Sequence, residues 1–193
     1  MIVRWTWAVV VPVLLLAACG GDNGARGGPP SGTASPSPQV HVLAVVSPAF
    51  AEGGQIPVKF SCDGAEAPIP LSWSGEPGNT ESFALILDDP DAPGDEPFVH
   101  WVMYDIPPNN TGFESVSKDG RLPNGAAQGT NSRGEIGYAG PCPPGGQTHT
   151  YVMTVYALHA ALGLEPGASR GEVEAAMQGH VLAAGEITGT FSR

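Results

Sequence analysis

The chain has 193 residues, 8 Lys+Arg against 19 Asp+Glu, a formal charge of −11, 27 Gly and 20 Pro. That acidity excludes a phosphate-backbone binder, which needs a basic face, and electrostatic docking on anionic lipid. With 14% charged and 41% hydrophobic residues, the chain can build a core but does not read as a helical bundle or coiled coil; short strands and turns in one domain are favoured.

Residues 1–18 read as a signal peptide. Arg4 is the only charge among them, and Trp5 to Ala18 is apolar, the length of a signal core and short of a spanning helix. Leu16-Ala17-Ala18-Cys19 looks like a bacterial lipobox, which makes Cys19 the lipidated first residue of an exported, envelope-anchored protein. Several acyl chains anchor stably where one does not. The alternative is an ordinary secretory signal with a chance cysteine. Removing 1–18 leaves 7 basic against 19 acidic residues, or −12. Residues 19–39 are then the lipidated cysteine and a Gly/Ser/Pro tether, too poor in large apolar groups to offset its ordering entropy. Its typical span is roughly 25 Å.

From Val40 to Arg193 the texture is that of one mostly β domain. Strands are predicted at His41–Val46, Ile56–Phe60, Ser82–Asp89, Phe98–Ile106, Thr150–Leu158 and Ile187–Phe191, each β-branched or aromatic and bounded by turn residues. Along Phe98–Ile106 both alternating faces are partly apolar, so this strand is expected to be covered on both sides. One or two short helices are predicted near the C-terminus. Ser169 and Glu172 have capping-box spacing, Val173, Ala176 and Met177 share a face, and Gly179 ends it. Ala160–Leu164 is the candidate for an extra turn. No 18-residue apolar run follows the signal, so no internal spanning helix is predicted. The stretches 88–97, 107–129 and 134–146 are long Pro/Gly loops, a length that points to function.

Cys62 and Cys142 remain. Export puts them in an oxidising compartment, where a bridge is favoured over two buried thiols. The residues suited to chemistry follow strands or open them. Asp88-Asp89-Pro90-Asp91-Ala92-Pro93 groups three carboxylates in a stiff turn. His100 lies within a strand and His149 opens another. Alone, each reads as a solvated turn, a packed imidazole and an idle edge histidine. Together, Asp89, Asp91, His100 and His149 would make a compact anion pocket: a carboxylate orients an imidazole and raises its pKa, and the glycine-rich 137–146 loop offers main-chain amides. This pocket would need no Lys or Arg. His41, His159 and His180 read as structural or surface residues. No paired-His, paired-Cys, nucleophile-elbow or phosphate-loop motif is present, so no cofactor and no catalytic nucleophile are implied.

The ordered blocks DDPDAP, HWVMYDIP, GYAGPCPP, HTYVMTVYAL and the terminal EAAMQGHVLAAGEITGTF resemble the phosphatidylethanolamine-binding protein family, in particular its bacterial branch of Raf-kinase-inhibitor-like proteins. The resemblance runs from about Val40 to Arg193. It implies a β-sandwich-like domain of two antiparallel sheets and a shallow anion pocket at one end of them. By motif it puts Asp89, Asp91 and Pro93 on the wall, His100, His149 and Tyr151 within, and Gly140, Pro141 and the Pro143-Pro144 pair at the rim. Thr150 departs from the pattern, since many relatives carry a basic residue there.

The expected function is therefore a non-enzymatic, lipid-anchored module that binds a small phosphate- or carboxylate-bearing group. Membrane contact is through the anchor only, no nucleic acid is bound, and a regulated partner such as a kinase is implied by resemblance alone. The alternative is a hydrolase in which the same Asp/His pocket activates water. A metal site built from Asp89, Asp91, His100 and His149 is the third reading.

Overall fold

Near-continuous apolar runs such as Phe83–Leu87 and Trp101–Tyr104 dictate two buried faces on one sheet, and the computed structural model, which describes residues 41–113 and 120–193, has that architecture. The elements run β1 (His41–Val42), β2 (Ala44–Val46), β3 (Gly54–Gln55), a 3₁₀ turn (Val58–Phe60), β4 (Leu71–Ser74), β5 (Ser82–Asp89), β6 (Phe98–Ile106), β7 (Gly112–Phe113), β8 (Ala127–Gln128), β9 (Thr148–Leu158), α1 (Arg170–Met177) and β10 (Val181–Ser192). The signal peptide, Cys19 and the tether lie outside the described residues.

The larger sheet has the order β1-β10-β9-β5-β6-β8, with β3 also on β10, and the smaller has the order β2-β4-β7. Pairing is antiparallel, except that the two-residue strands β1 and β3 run parallel to β10. Phe83, Leu85 and Leu87 of β5, Trp101 and Met103 of β6, and Tyr151, Met153 and Val155 of β9 meet Val45, Leu71 and Trp73 of the smaller sheet in the main core. The intervening residues, Ala84, Ile86, Val102 and Tyr104, form a second core with Val173 and Met177 of α1. Strand β6 is thus covered on both faces, as its sequence predicts.

The capping box is made: the Ser169 hydroxyl accepts from the Glu172 amide, and the Glu172 carboxylate accepts from the Ser169 amide at 2.8 Å. Gly179 follows at φ 79°. The expected turn at Ala160–Leu164 does not form. The Asp105 carboxylate instead accepts from the Leu162 amide at 2.6 Å and from Gly163, holding that segment open. Ile56–Phe60 is not a strand either. Pro57 has no amide to give a ladder, and Val58–Phe60 closes as a 3₁₀ turn with Ile56 and Phe60 buried. The last strand is longer than expected, running twelve residues along β9.

Cys62 and Cys142 are bridged, with Cα atoms 5.4 Å apart across 80 positions. A loop of that size is worth on the order of 4 kcal/mol in the chain-entropy account. The bridge ties the segment after the 3₁₀ turn to the loop that precedes β9.

Candidate functional site

Three elements bring the site together. Strand β5 ends at Asp89, β6 begins at Phe98 and β9 begins at Thr148; because β5 lies between the other two, its end and their starts meet at one edge of the larger sheet. There a cavity of about 340 Å³ is lined by Asp89, Ala92, Pro93, Phe98, His100, Arg133, Cys142, Pro144 and His149. A wider groove of about 710 Å³ runs past Leu71, Ser72 and 109–113. It carries no titratable side chain, so the chemistry favours the smaller cavity.

Asp89 is 4% exposed and His149 3%. The His149 Nδ1–H donates to Asp89 Oδ2 at 2.7 Å, and Nε2 faces Gln147 Oε1 at 3.2 Å. The Gln147 amide can accept from a protonated ring or, turned over, donate to a neutral one, so the ring keeps a partner in either charge state. Asp89 Oδ1 accepts from the Asp91 amide at 2.9 Å, and Asp91 Oδ2 accepts from the Thr150 amide at 2.7 Å. These bonds stitch the DPDAP turn to the first residues of β9.

His100 donates from Nδ1 to the Ala139 carbonyl at 2.8 Å, which leaves Nε2 as an acceptor. Its ring packs on Phe98 at 4.8 Å and edge-on to Tyr151 at 5.2 Å. Burial pushes His100 below the usual imidazole pKa, although the Ala139 carbonyl and nearby Asp89 act the other way. The expectation of a raised histidine therefore fails at His100: desolvation wins. Tyr151 is buried beneath His100. Among the described residues no partner meets its hydroxyl in good hydrogen-bond geometry, and burial with the neighbouring Asp89 charge drives its pKa well up.

Of the residues predicted from sequence, Asp89, Pro93, His100 and His149 line the cavity. Asp91, Gly140, Pro141, Pro143 and Tyr151 do not. Asp91 braces the wall from outside, and Tyr151 supports His100 from below. Pro141 and Pro143 are buried, and Pro144 takes the lining position. Gly140 acts through close approach: a Cβ there would lie 2.7 Å from the Phe60 carbonyl oxygen.

Two expectations about charge are corrected. The 137–146 amides are largely committed within the protein, Gly137 to Gly129, Ala139 to His100, Gly140 to the Glu66 carboxylate and Gly146 to Arg193. These four are not free to cradle an anion. The pocket also contains an arginine. Arg133 donates from Nη1 to Glu66 Oε1 at 2.8 Å and from Nη2 to the Gly140 carbonyl at 3.3 Å. Sequence reading missed Arg133, Phe98, Ala92 and the part played by Cys142; the Asn131-Ser132-Arg133-Gly134 turn carried the one usable signal, a cation in a tight loop. Among the described residues, no group of three or more His, Cys, Asp or Glu side chains is arranged to hold a metal ion.

Comparison with known proteins agrees with this geometry. The family model for phosphatidylethanolamine-binding protein matches residues 46–192. A UPF0098 protein of Methanothermobacter thermautotrophicus is 50% identical over 146 residues, 75% of this chain and 95% of that protein. The "Putative lipoprotein LppC" of Mycobacterium tuberculosis is 40% identical over 188 residues, 93% of this chain and 90% of that protein. The crystal structure of Escherichia coli YbcL, described as a new member of the mammalian PEBP family, superposes with a TM-score of 0.73 at 32% identity, covering 78% of this chain and 98% of YbcL. The edge cavity, the two-sheet fold and the matches over most of the chain have one reading: this protein belongs to the phosphatidylethanolamine-binding protein family.

Proposed function

We propose that this protein is a lipid-anchored binding module of the cell envelope. Its edge cavity takes a small anionic group, phosphate or carboxylate, and performs no chemistry on it. The observation that carries this reading is the convergence of His100 and His149 with Asp89 in one cavity of about 340 Å³. The Asp89–His149 pair is the oriented imidazole of an anion site, and the apolar remainder of the wall suits an organic body. A hydrolase would need the same pair with a clear path from Nε2 to water, whereas here Gln147 faces that atom. The anchor reading rests on Leu16-Ala17-Ala18-Cys19 and on the match to the mycobacterial protein, whose 93% coverage of this chain reaches into the first 39 residues.

The test is calorimetric titration of the full chain in detergent with phenyl phosphate and with benzoate, following the histidine ring protons by NMR. Saturable heat together with shifts at both His100 and His149 is the expected result. Neither heat nor shift up to roughly 10 mM would overturn the reading. Release of phenol from phenyl phosphate would replace it with the hydrolase, and a phosphopeptide titrated in parallel reports whether the anionic group can arrive on a protein.

A further inference from the structure

We propose that Arg133 is the residue that reads the ligand's negative charge, and that Glu66 holds its guanidinium until a ligand oxygen exchanges with the Glu66 carboxylate. This rests on the anion-binding reading above and deepens it: the guanidinium is the contact for the ligand's oxyanion, and the apolar wall beside it is the contact for the group that carries the oxyanion.

The other polar groups of the cavity supply no fixed positive charge, and His149 is held between Asp89 and Gln147. Asp89 is an acid, and burial disfavours a charged His100. Four of the loop amides, those of Gly137, Ala139, Gly140 and Gly146, are spent on internal partners. Among the described residues lining the cavity, Arg133 carries the one charge that does not depend on pH. In a chain of net charge −11, an anion has little long-range attraction to draw it in, so a local cation must do so.

The loop holds Arg133 in place before any ligand arrives. Its amide donates to Asn131 Oδ1 at 2.9 Å, and the Asn131 amide group donates to the Gly137 carbonyl at 3.0 Å with Asn131 buried. Such a fixed backbone lowers the ordering cost of binding. A guanidinium offers five N–H donors in a planar fork; Glu66 and Gly140 each occupy one at Arg133, and a phosphate can engage two at once.

Glu66 is suited to being displaced. The two side chains are 31% and 28% exposed, and an ion pair so open to water is weakly held. Glu66 also accepts from the Gly140 amide at 3.3 Å, so its carboxylate keeps a partner when the arginine turns to a ligand. Ala92, Pro93, Phe98 and Pro144 supply the apolar wall beside it. That surface gives an organic phosphate an advantage over the bare ion.

The experiment titrates the full chain in detergent with phenyl phosphate, inorganic phosphate and phenol, comparing wild type with Arg133→Gln, Arg133→Lys, Glu66→Gln and Arg193→Gln. Arg193 pairs with Asp63 at 3.0 Å and does not line the cavity. The expected results are a loss of about tenfold or more in phenyl phosphate affinity for Arg133→Gln, a smaller loss for Arg133→Lys, and a severalfold gain for Glu66→Gln. Phenol binding should be the same in all, Arg193→Gln should stay within about twofold of wild type, and inorganic phosphate should be the weaker of the two anions. Unchanged phenyl phosphate affinity in Arg133→Gln, or an equal loss in Arg193→Gln, overturns the role of Arg133 while the anion site stands. Weakened binding in Glu66→Gln overturns the exchange. Wild type binding neither phosphate overturns the site itself. NMR of the wild-type Arg133 guanidinium protons decides the matter independently of any variant's folding: they must shift as phenyl phosphate saturates, and silence there refutes the contact.

Discussion

Asp88 and Asp89 are adjacent in β5 and face opposite surroundings. Asp89 faces the cavity and His149. Asp88 lies on the helix side, where its Oδ2 meets Arg170 at 3.1 Å and its buried Oδ1 has no hydrogen-bond partner among the described residues. Burial raises Asp88 from 3.8 to about 6, Arg170 opposing and Glu174 adding to the rise. The folded protein therefore binds the Asp88 proton more tightly than the unfolded chain does. Stability falls as pH rises from about 4 to 6 on this account, and the cost is fully present above that window. A shift of two units corresponds to about 3 kcal/mol, which solvent screening of a partly open site reduces to about 1 kcal/mol. Asp88→Asn should thus be more stable than wild type by about that amount at pH 7.5 and equal to it near pH 4. Thermal melts at the two pH values check this; the same difference at both would mean the carboxylate's charge is not the cause. From sequence, the three acids of DDPDAP read as one group. Their division among a helix contact, a cavity and a rim follows from the strand's two faces.

At the scale of elements, β10 shows how glycine encodes crossing chain. A Cβ on Gly185 would lie 2.1 Å from the Leu43 carbonyl oxygen, where β1 pairs in parallel with β10. Gly185→Ala must push β1 off the sheet, and overpacking of this kind costs about 2 kcal/mol or more. Chemical denaturation should give a lower midpoint for that variant; an unchanged midpoint would mean that the crossing is loosely held. The long strands and α1 were legible because a period of two and a capping box are local signals. β3, β7 and β8 were not, since each is two residues long and owes its pairing to a neighbour distant in sequence. Ile56–Phe60 misled in the opposite sense: its composition is that of a strand, but the Pro57 ring gives no ladder amide and Val58–Phe60 closes as a 3₁₀ turn.

For the whole molecule, on our reading, the described body supplies the binding site and the leader supplies the location. Among the described residues no helix is long and apolar enough to cross a membrane. On the proposed lipoprotein reading, membrane attachment is through Cys19. In a host that processes lipoproteins, Cys19→Ala should abolish labelling by radioactive palmitate and release the protein to the aqueous phase of a detergent partition. Labelling that persists would place the anchor elsewhere.

The sequence by itself determined the family, the long strands, the helix and its cap, and the aspartate and histidines of the cavity, because each is written in contiguous residues or in an ordered series of motifs. Only the tertiary structure decided which of those residues share the cavity. His149 meets Asp89 across 60 positions and Arg133 meets Glu66 across 67. Contacts at such separations depend on strand order, register and the path of covalently tied loops, and no local pattern of side chains records them.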